Sequence, residues 1–175
     1  MKLTTRELTL CALLTAMALA LSYLENFFPL SLAIPLPGVK LGLANVVTLF
    51  ALYVLGAGQA LLILVGRCVL GAVFAGNMNA LLYSLLGGVA AMLVMILLSR
   101  LRGLSVYGVS IGGAAAHNCG QVAAAVLTLG NPAPLYYLPV LLGVSLGTGA
   151  LTGVLASCLF RGLAHTGLLE WRRTP

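Results

Sequence analysis

The chain has 175 residues, of which 61% are hydrophobic and only 7% charged, with a mean hydropathy of +1.12. Soluble domains carry about 25% charged residues to cover a water-facing surface, so nine cations and three acids exclude a soluble fold and make the bilayer the solvent. The net charge of +6 is spread along the chain without the dense basic stripe that a nucleic-acid partner requires. All three acids are glutamates, Glu7, Glu25 and Glu170, and aspartate is absent, which leaves no carboxylate cluster for Mg²⁺-dependent prenyl or phosphoryl transfer.

A helical span needs about 20 mostly apolar residues, and breaks at that interval predict six spans over 8–24, 41–55, 59–75, 80–99, 105–129 and 136–160, followed by a tail over 161–175. The runs are continuously apolar and Leu/Ala-rich, without the alternation of a transmembrane β-barrel. The predicted class is an all-α integral membrane protein, a single domain built as a bundle of six transmembrane helices.

Lys2 and Arg6 precede the first span, whose Ala12, Ala16 and Ala20 repeat every four residues along one face, the spacing that lets membrane helices approach closely. This stripe suits either internal packing or a surface for another membrane subunit. Ala18-Leu19-Ala20 also resembles a signal-peptide cleavage site, but Glu7 interrupts the basic region and removal of the span would spoil the topology given below. The following loop, 25–40, holds Pro29, Pro35, Pro37 and Gly38 together with Phe27, Phe28, Leu30, Leu32, Ile34 and Leu36, and reads as an interfacial segment or a lid.

The second span is short and carries Asn45; Gly56 and Gly58 end it. The third holds Arg67, roughly 12 Å from its inner end at about 1.5 Å per residue. After the Gly76-Asn77 break and Asn79, the fourth span brings Tyr83 and Ser84, and Arg100 and Arg102 follow it. The fifth contains Ala116-His117-Asn118-Cys119-Gly120-Gln121, in which His117 and Gln121 lie one turn apart on a shared face. Gly130, Asn131, Pro132 and Pro134 lead to Tyr136 and Tyr137 and to a sixth span with Gly143/Gly147 and Gly149/Gly153 pairs. Cys11, Cys68, Cys119 and Cys158 lie inside spans without CxxC spacing and read as packing residues, not as disulfides or metal ligands.

With the N-terminus inside, inner segments hold Lys2, Arg6, Arg100, Arg102, Arg161, Arg172 and Arg173, and the outer loops hold only Lys40. The positive-inside rule therefore places both termini in the cytoplasm of a multi-pass cell-membrane protein, with Trp171 beside Arg172 and Arg173 as an interfacial anchor. Polar groups at membrane depth are costly and are functional candidates by default. Arg67 is either a snorkelling or carbonyl-bonded arginine or an anchor for a carboxylate or phosphate. The cluster at His117, Asn118 and Gln121 is either an interhelical hydrogen-bond network or part of a site. Lys40, Asn45, Asn79, Tyr83, Ser84, Tyr136 and Tyr137 all fall toward the outer side, a pattern that predicts a pocket open outward and sealed inward. Its predicted ligand-binding residues are Lys40, Asn45, Arg67, Asn79, Tyr83, His117, Asn118 and Gln121. No cofactor and no metal is expected.

The stretches Pro37-Gly38-Val39-Lys40-Leu41-Gly42-Leu43-Ala44-Asn45 and Ala116-His117-Asn118-Cys119-Gly120-Gln121 resemble a bacterial family, the Gx transporters, also labelled heptaprenyl diphosphate synthase component I. The resemblance runs from residue 8 to about residue 160. That family is similar in turn to the substrate-capture S components of energy-coupling factor transporters. The resemblance implies a solute-binding subunit that docks through Ala12, Ala16 and Ala20 on an integral coupling subunit energised by ATPase subunits. It also implies, alternatively, a non-catalytic accessory subunit linked to prenyl diphosphate or quinone synthesis or to flavin-based extracellular electron transfer. Prenyl diphosphate synthases use aspartate-rich motifs, so a chain without aspartate is not that catalyst. The chain has no nucleotide-binding glycine loop followed by Lys-Ser/Thr, and ATP would have to act through partners. An intramembrane enzyme with His117 as general base is a third possibility, but no carboxylate, serine elbow or metal triad accompanies that histidine.

The topology is checked by fusions: green fluorescent protein at residue 175 is expected to fluoresce, and alkaline phosphatase fused after residue 131 to be active. The opposite pattern would invert the orientation.

Overall fold

The computed structural model describes residues 4–27 and 42–164. Lys2, Phe28 and the proline-rich stretch through Lys40, as well as Trp171, Arg172 and Arg173, lie outside the described residues. Six helices are present among the described residues, with no strand: α1 Thr5–Leu24, α2 Leu43–Val54, α3 Ala57–Ala75, α4 Met78–Ser99, α5 Val106–Leu129 and α6 Leu138–Ala164. One end of the bundle carries the α1–α2 connection and is called here the loop end; the opposite end carries the start of α1 and the end of α6.

Local chemistry sets the boundaries. Glu7 is the reciprocal partner of a capping box, in which the Thr4 side chain accepts from the Glu7 backbone N–H and the Glu7 carboxylate accepts from the Thr4 backbone N–H at 2.9 Å. Asn77 caps α4 by accepting from the N–H groups of Asn79 and Ala80, which is the observed place of the predicted Asn77 break. Gly130 ends α5 in the left-handed conformation, and a 3₁₀ turn over Ala133–Tyr137 leads into α6.

Four helical segments are long and apolar enough to cross a membrane: Thr5–Leu24, Ala57–Ala75, Met78–Ser99 and Ala133–Gly162. The remaining two of the six expected spans differ for separate reasons. α5 has the length, with 24 residues, but its glycines and the His117-to-Gln121 cluster dilute its hydropathy. α2 has only 12 residues, about 18 Å of helix against a hydrocarbon core of about 30 Å.

α2 is also the most enclosed element. Every residue from Ala44 to Leu52 is buried, because α1, α3 and α6 all pack on it. A helix apolar on all faces belongs in an interior, and here its surroundings are protein instead of lipid. Below the level of Arg67, Leu49, Leu55, Ile63, Leu64 and Met92 are fully buried and form a dry core toward the termini. Cys11 and Cys68 pack in it, whereas Cys119 and Cys158 face outward.

Helix crossings depend on glycine. A Cβ at Gly120 would stand 2.5 Å from the Leu86 carbonyl oxygen and 2.8 Å from the Gly87 Cα, so α5 meets the α4 backbone directly. A Cβ at Gly149 would lie 2.6 Å from the Ile111 Cα, and next to it the Ser110 hydroxyl donates to the Gly149 carbonyl at 2.7 Å. Without an apolar driving force between helices in lipid, such close contact is the main source of association. Of the two glycine pairs noted in α6, only Gly149/Gly153 makes such a crossing; Gly143 and Gly147 face open space. Ala12, Ala16 and Ala20 are all exposed, so that stripe does not pack within this bundle.

Gly120→Ala forces two backbones apart and is expected to cost about 1–3 kcal/mol, read as a lowered thermal unfolding temperature in detergent. Gly143→Ala, with nothing near its Cβ, is expected to leave it unchanged.

Candidate functional site

Four buried polar side chains, Glu25, Asn45, Arg67 and His117, converge in the loop half. α3 carries Arg67 near its middle, 9% exposed, where an unpaired ion would be prohibitively costly. Two neighbouring helices supply partners: Nη2 donates to Asn45 Oδ1 at 3.1 Å, from the first turn of α2, and Nη1 to Ser22 Oγ at 3.5 Å, from the last turn of α1. The buried Nε has no hydrogen-bond partner among the described residues.

Glu25, just past α1, is buried at 6% exposure and attracts Arg67 electrostatically. Its carboxylate accepts from the backbone N–H of Leu43, the first residue of α2. It thereby satisfies a donor that no intrahelical carbonyl can reach and sets an anion at the positive end of the helix dipole. Gly42, the residue before, adopts φ 80°, a conformation that only glycine takes at low cost. A Cβ there would also come within 3.1 Å of Asn45 Nδ2. Chain entry into α2 and the position of Asn45 therefore depend on the same glycine.

These groups line a cavity of about 570 Å³, within the range of small-molecule sites, that reaches from Arg67 to the loop end. His117 and Gln121 of α5 face it from the far side, with Ser84 of α4. Gly87 makes room for them, since a Cβ on it would stand 2.9 Å from Gln121 Cγ and 3.0 Å from His117 Cε1. Most of the remaining wall is small or apolar: Leu19 and Ala20 from α1, Gly71, Ala72 and Ala75 from α3, and Ala80 from α4.

The predicted residues separate in space. Asn45, Arg67, His117 and Gln121 come together on the cavity. Asn118 lies behind it, where its Nδ2 donates to the Leu141 carbonyl at 2.9 Å and ties α5 to α6. It borders a crevice of about 10 Å³, room for about one water. The Tyr83 hydroxyl shares a 3.0 Å hydrogen bond with Thr128 Oγ1 between α4 and α5. Asn79 is exposed on the first turn of α4, and neither it nor Tyr83 is among the cavity-lining residues. Tyr136 and Tyr137 are exposed, Phe27 packs edge-on against Tyr23 at 5.6 Å, and Lys40 lies outside the described residues. Sequence reasoning did not select Glu25, Ser22, Gly42 or Gly87. Glu25 left a signal as the one carboxylate among the described residues at the same end of the bundle as the cavity, and Gly42 lay within the stretch that carries the family resemblance.

A family model described as heptaprenyl diphosphate synthase component I matches residues 14–159. The chain belongs to this family. Neither a curated protein nor a solved structure matches it. The matched stretch extends from α1 to α6 and takes in Ser22, Glu25, Asn45, Arg67, His117 and Gln121, so the whole cavity falls within the part that defines family membership. Among the described residues no three His, Cys, Asp or Glu side chains gather in one place.

Asn45→Ala removes the Arg67 Nη2 acceptor and is expected to destabilise the fold by about 1–3 kcal/mol. Thermal unfolding of Asn45→Ala, Arg67→Met and the double variant checks this, because the loss should shrink when the buried guanidinium is also absent.

Proposed function

We propose that the chain is a membrane-embedded substrate-binding subunit in the cell membrane, similar to an S component. In this reading it takes up a small anionic, aromatic or isoprenoid-related solute from outside the cell. The supporting observation is Arg67: a guanidinium buried at mid-bundle, held by Asn45 and Ser22 with Nε to spare, on a mostly apolar cavity of about 570 Å³. Apolar walls with a few convergent polar groups are the usual makeup of a ligand pocket, and a planar cation suits a carboxylate or phosphate. His117 and Gln121 add hydrogen-bond capacity opposite. The dry core of Leu49, Ile63, Leu64 and Met92 closes the path toward the termini, so inward release requires a change of conformation. The exposed Ala12, Ala16 and Ala20 face is the proposed contact with an integral coupling subunit bearing ATPase subunits. In this reading Asn118 braces the site by tying α5 to α6, and Tyr83 by joining α4 to α5.

The family description, heptaprenyl diphosphate synthase component I, favours a second reading, in which the chain is a non-catalytic membrane subunit of a prenyl diphosphate synthase assembly and Arg67 and His117 hold the helices together; an accessory role in quinone synthesis or extracellular electron transfer is a variant of that reading. Native mass spectrometry of the detergent-purified chain separates the two. A stoichiometric small molecule lost in Arg67→Met and His117→Ala is expected for the binding subunit. Arg67→Met leaves the buried Glu25 without its cation and is expected to lower the thermal unfolding temperature, so His117→Ala, which leaves both charges in place, carries the binding comparison alongside it. A ligand-free chain in a stable complex with a prenyltransferase or redox protein would establish the second reading.

A further inference from the structure

The cavity has a polar end and an apolar side opening. Its polar end is Arg67 with Ser22, Asn45, His117 and Gln121. Toward the loop end its walls are α1 and α3, and residues there serve two surfaces at once. Tyr23 and Phe74 line the cavity yet are 67% and 79% exposed, and Ala20 and Ala75 are also both lining and exposed. The cavity therefore opens between the last turns of α1 and α3 onto the side of the bundle, the level at which a bilayer of this span would present the head-group end of its acyl chains. Small side chains keep this seam shallow: a Cβ on Gly71 would already touch Leu19 at 3.6 Å.

The charge at the polar end is limited. Among the described residues Arg67 is the one cation lining it, with Glu25 within its electrostatic reach, so at most one further negative charge finds a cation to rest on. An unused guanidinium N–H and neutral hydrogen-bonding groups suit a head with one negative charge. A multiply charged head would bring further anions into a low-dielectric site where each needs its own cation.

Building on the binding-subunit reading, we infer that the ligand is a bilayer-borne, single-chain amphiphile. Its head, a carboxylate or other singly charged acid, rests on Arg67 and Asn45, and its chain leaves through the α1–α3 seam. The carboxylate is recognised at Arg67 and Asn45, while the chain, concentrated in the lipid and packed along the seam, adds contacts that a chainless acid lacks.

The test measures saturable binding to the full chain in nanodiscs with three radiolabelled probes: oleate, benzoate and farnesyl diphosphate. Oleate is expected to bind one per chain, about tenfold tighter than either other probe, and to weaken about tenfold in Arg67→Gln and in Ala75→Trp. Ala20→Trp blocks the other wall of the seam at an exposed position and should reproduce Ala75→Trp; unchanged thermal unfolding shows that both variants are folded. If benzoate binds as tightly as oleate, is lost in Arg67→Gln and ignores both tryptophans, the amphiphile inference fails and the solute site stands. Tighter binding of the diphosphate overturns the single-charge head. Non-saturable oleate, or binding indifferent to Arg67→Gln, overturns both the inference and the reading beneath it.

Discussion

One guanidinium organises the loop half of this bundle. In water Arg67 would need no partners; at mid-bundle each N–H left unmet is charged at a low-dielectric rate, and the partners must come from other helices. Asn45 and Ser22 answer it from α2 and α1, and Glu25 adds its charge while holding the first N–H of α2. The three helices are thereby pinned at one level. The cavity is what remains above that level, because the small residues on α3 and α4 do not fill it.

Below that level the logic reverses. The termini half is joined by apolar side chains and by backbone approach at glycine, with Gly149 against Ile111, while Gly120 makes the same approach to Leu86 at the level of the cavity. Such contacts have no tolerance for added atoms but carry no charge, and they let α4, α5 and α6 form a stiff wall that presents His117 and Gln121. A rigid frame with a polar chamber at one end is the form expected of a site that must hold its geometry in the absence of ligand.

The fold class was legible because lipid imposes a simple rule on sequence: long apolar runs, broken by glycine, proline and asparagine, become helices. Arg67, Asn45, His117 and Gln121 were legible for the converse reason, as polar exceptions inside such runs. What the runs do not encode is rotation about each helix axis and the return path of loops. The shared face of His117 and Gln121 was legible from their spacing, but that Asn118 beside them turns to α6 was not. Asn79 and Tyr83 are at the right height but on the wrong side to line it. Glu25 looked like a loop residue because only the folded α1–α2 geometry brings it to Leu43, and Gly42 and Gly87 act by lacking a side chain, which no single sequence can signal. The alanine stripe on α1 was readable as a close-approach surface, but its outward direction was not.

The shortness of α2 bears on biogenesis. A 12-residue helix is too brief to be retained by the bilayer as a lone segment, and α3, which follows after the two residues Leu55 and Gly56, carries an arginine that on insertion scales costs about 2.5–3.5 kcal/mol at a helix centre. Each helix lacks what the other provides: α3 has the length, and α2 holds the Asn45 oxygen that relieves the arginine. As a hairpin the two are complementary, with the Asn45–Arg67 hydrogen bond meeting the need of the longer helix and the packing of α3 meeting that of the shorter.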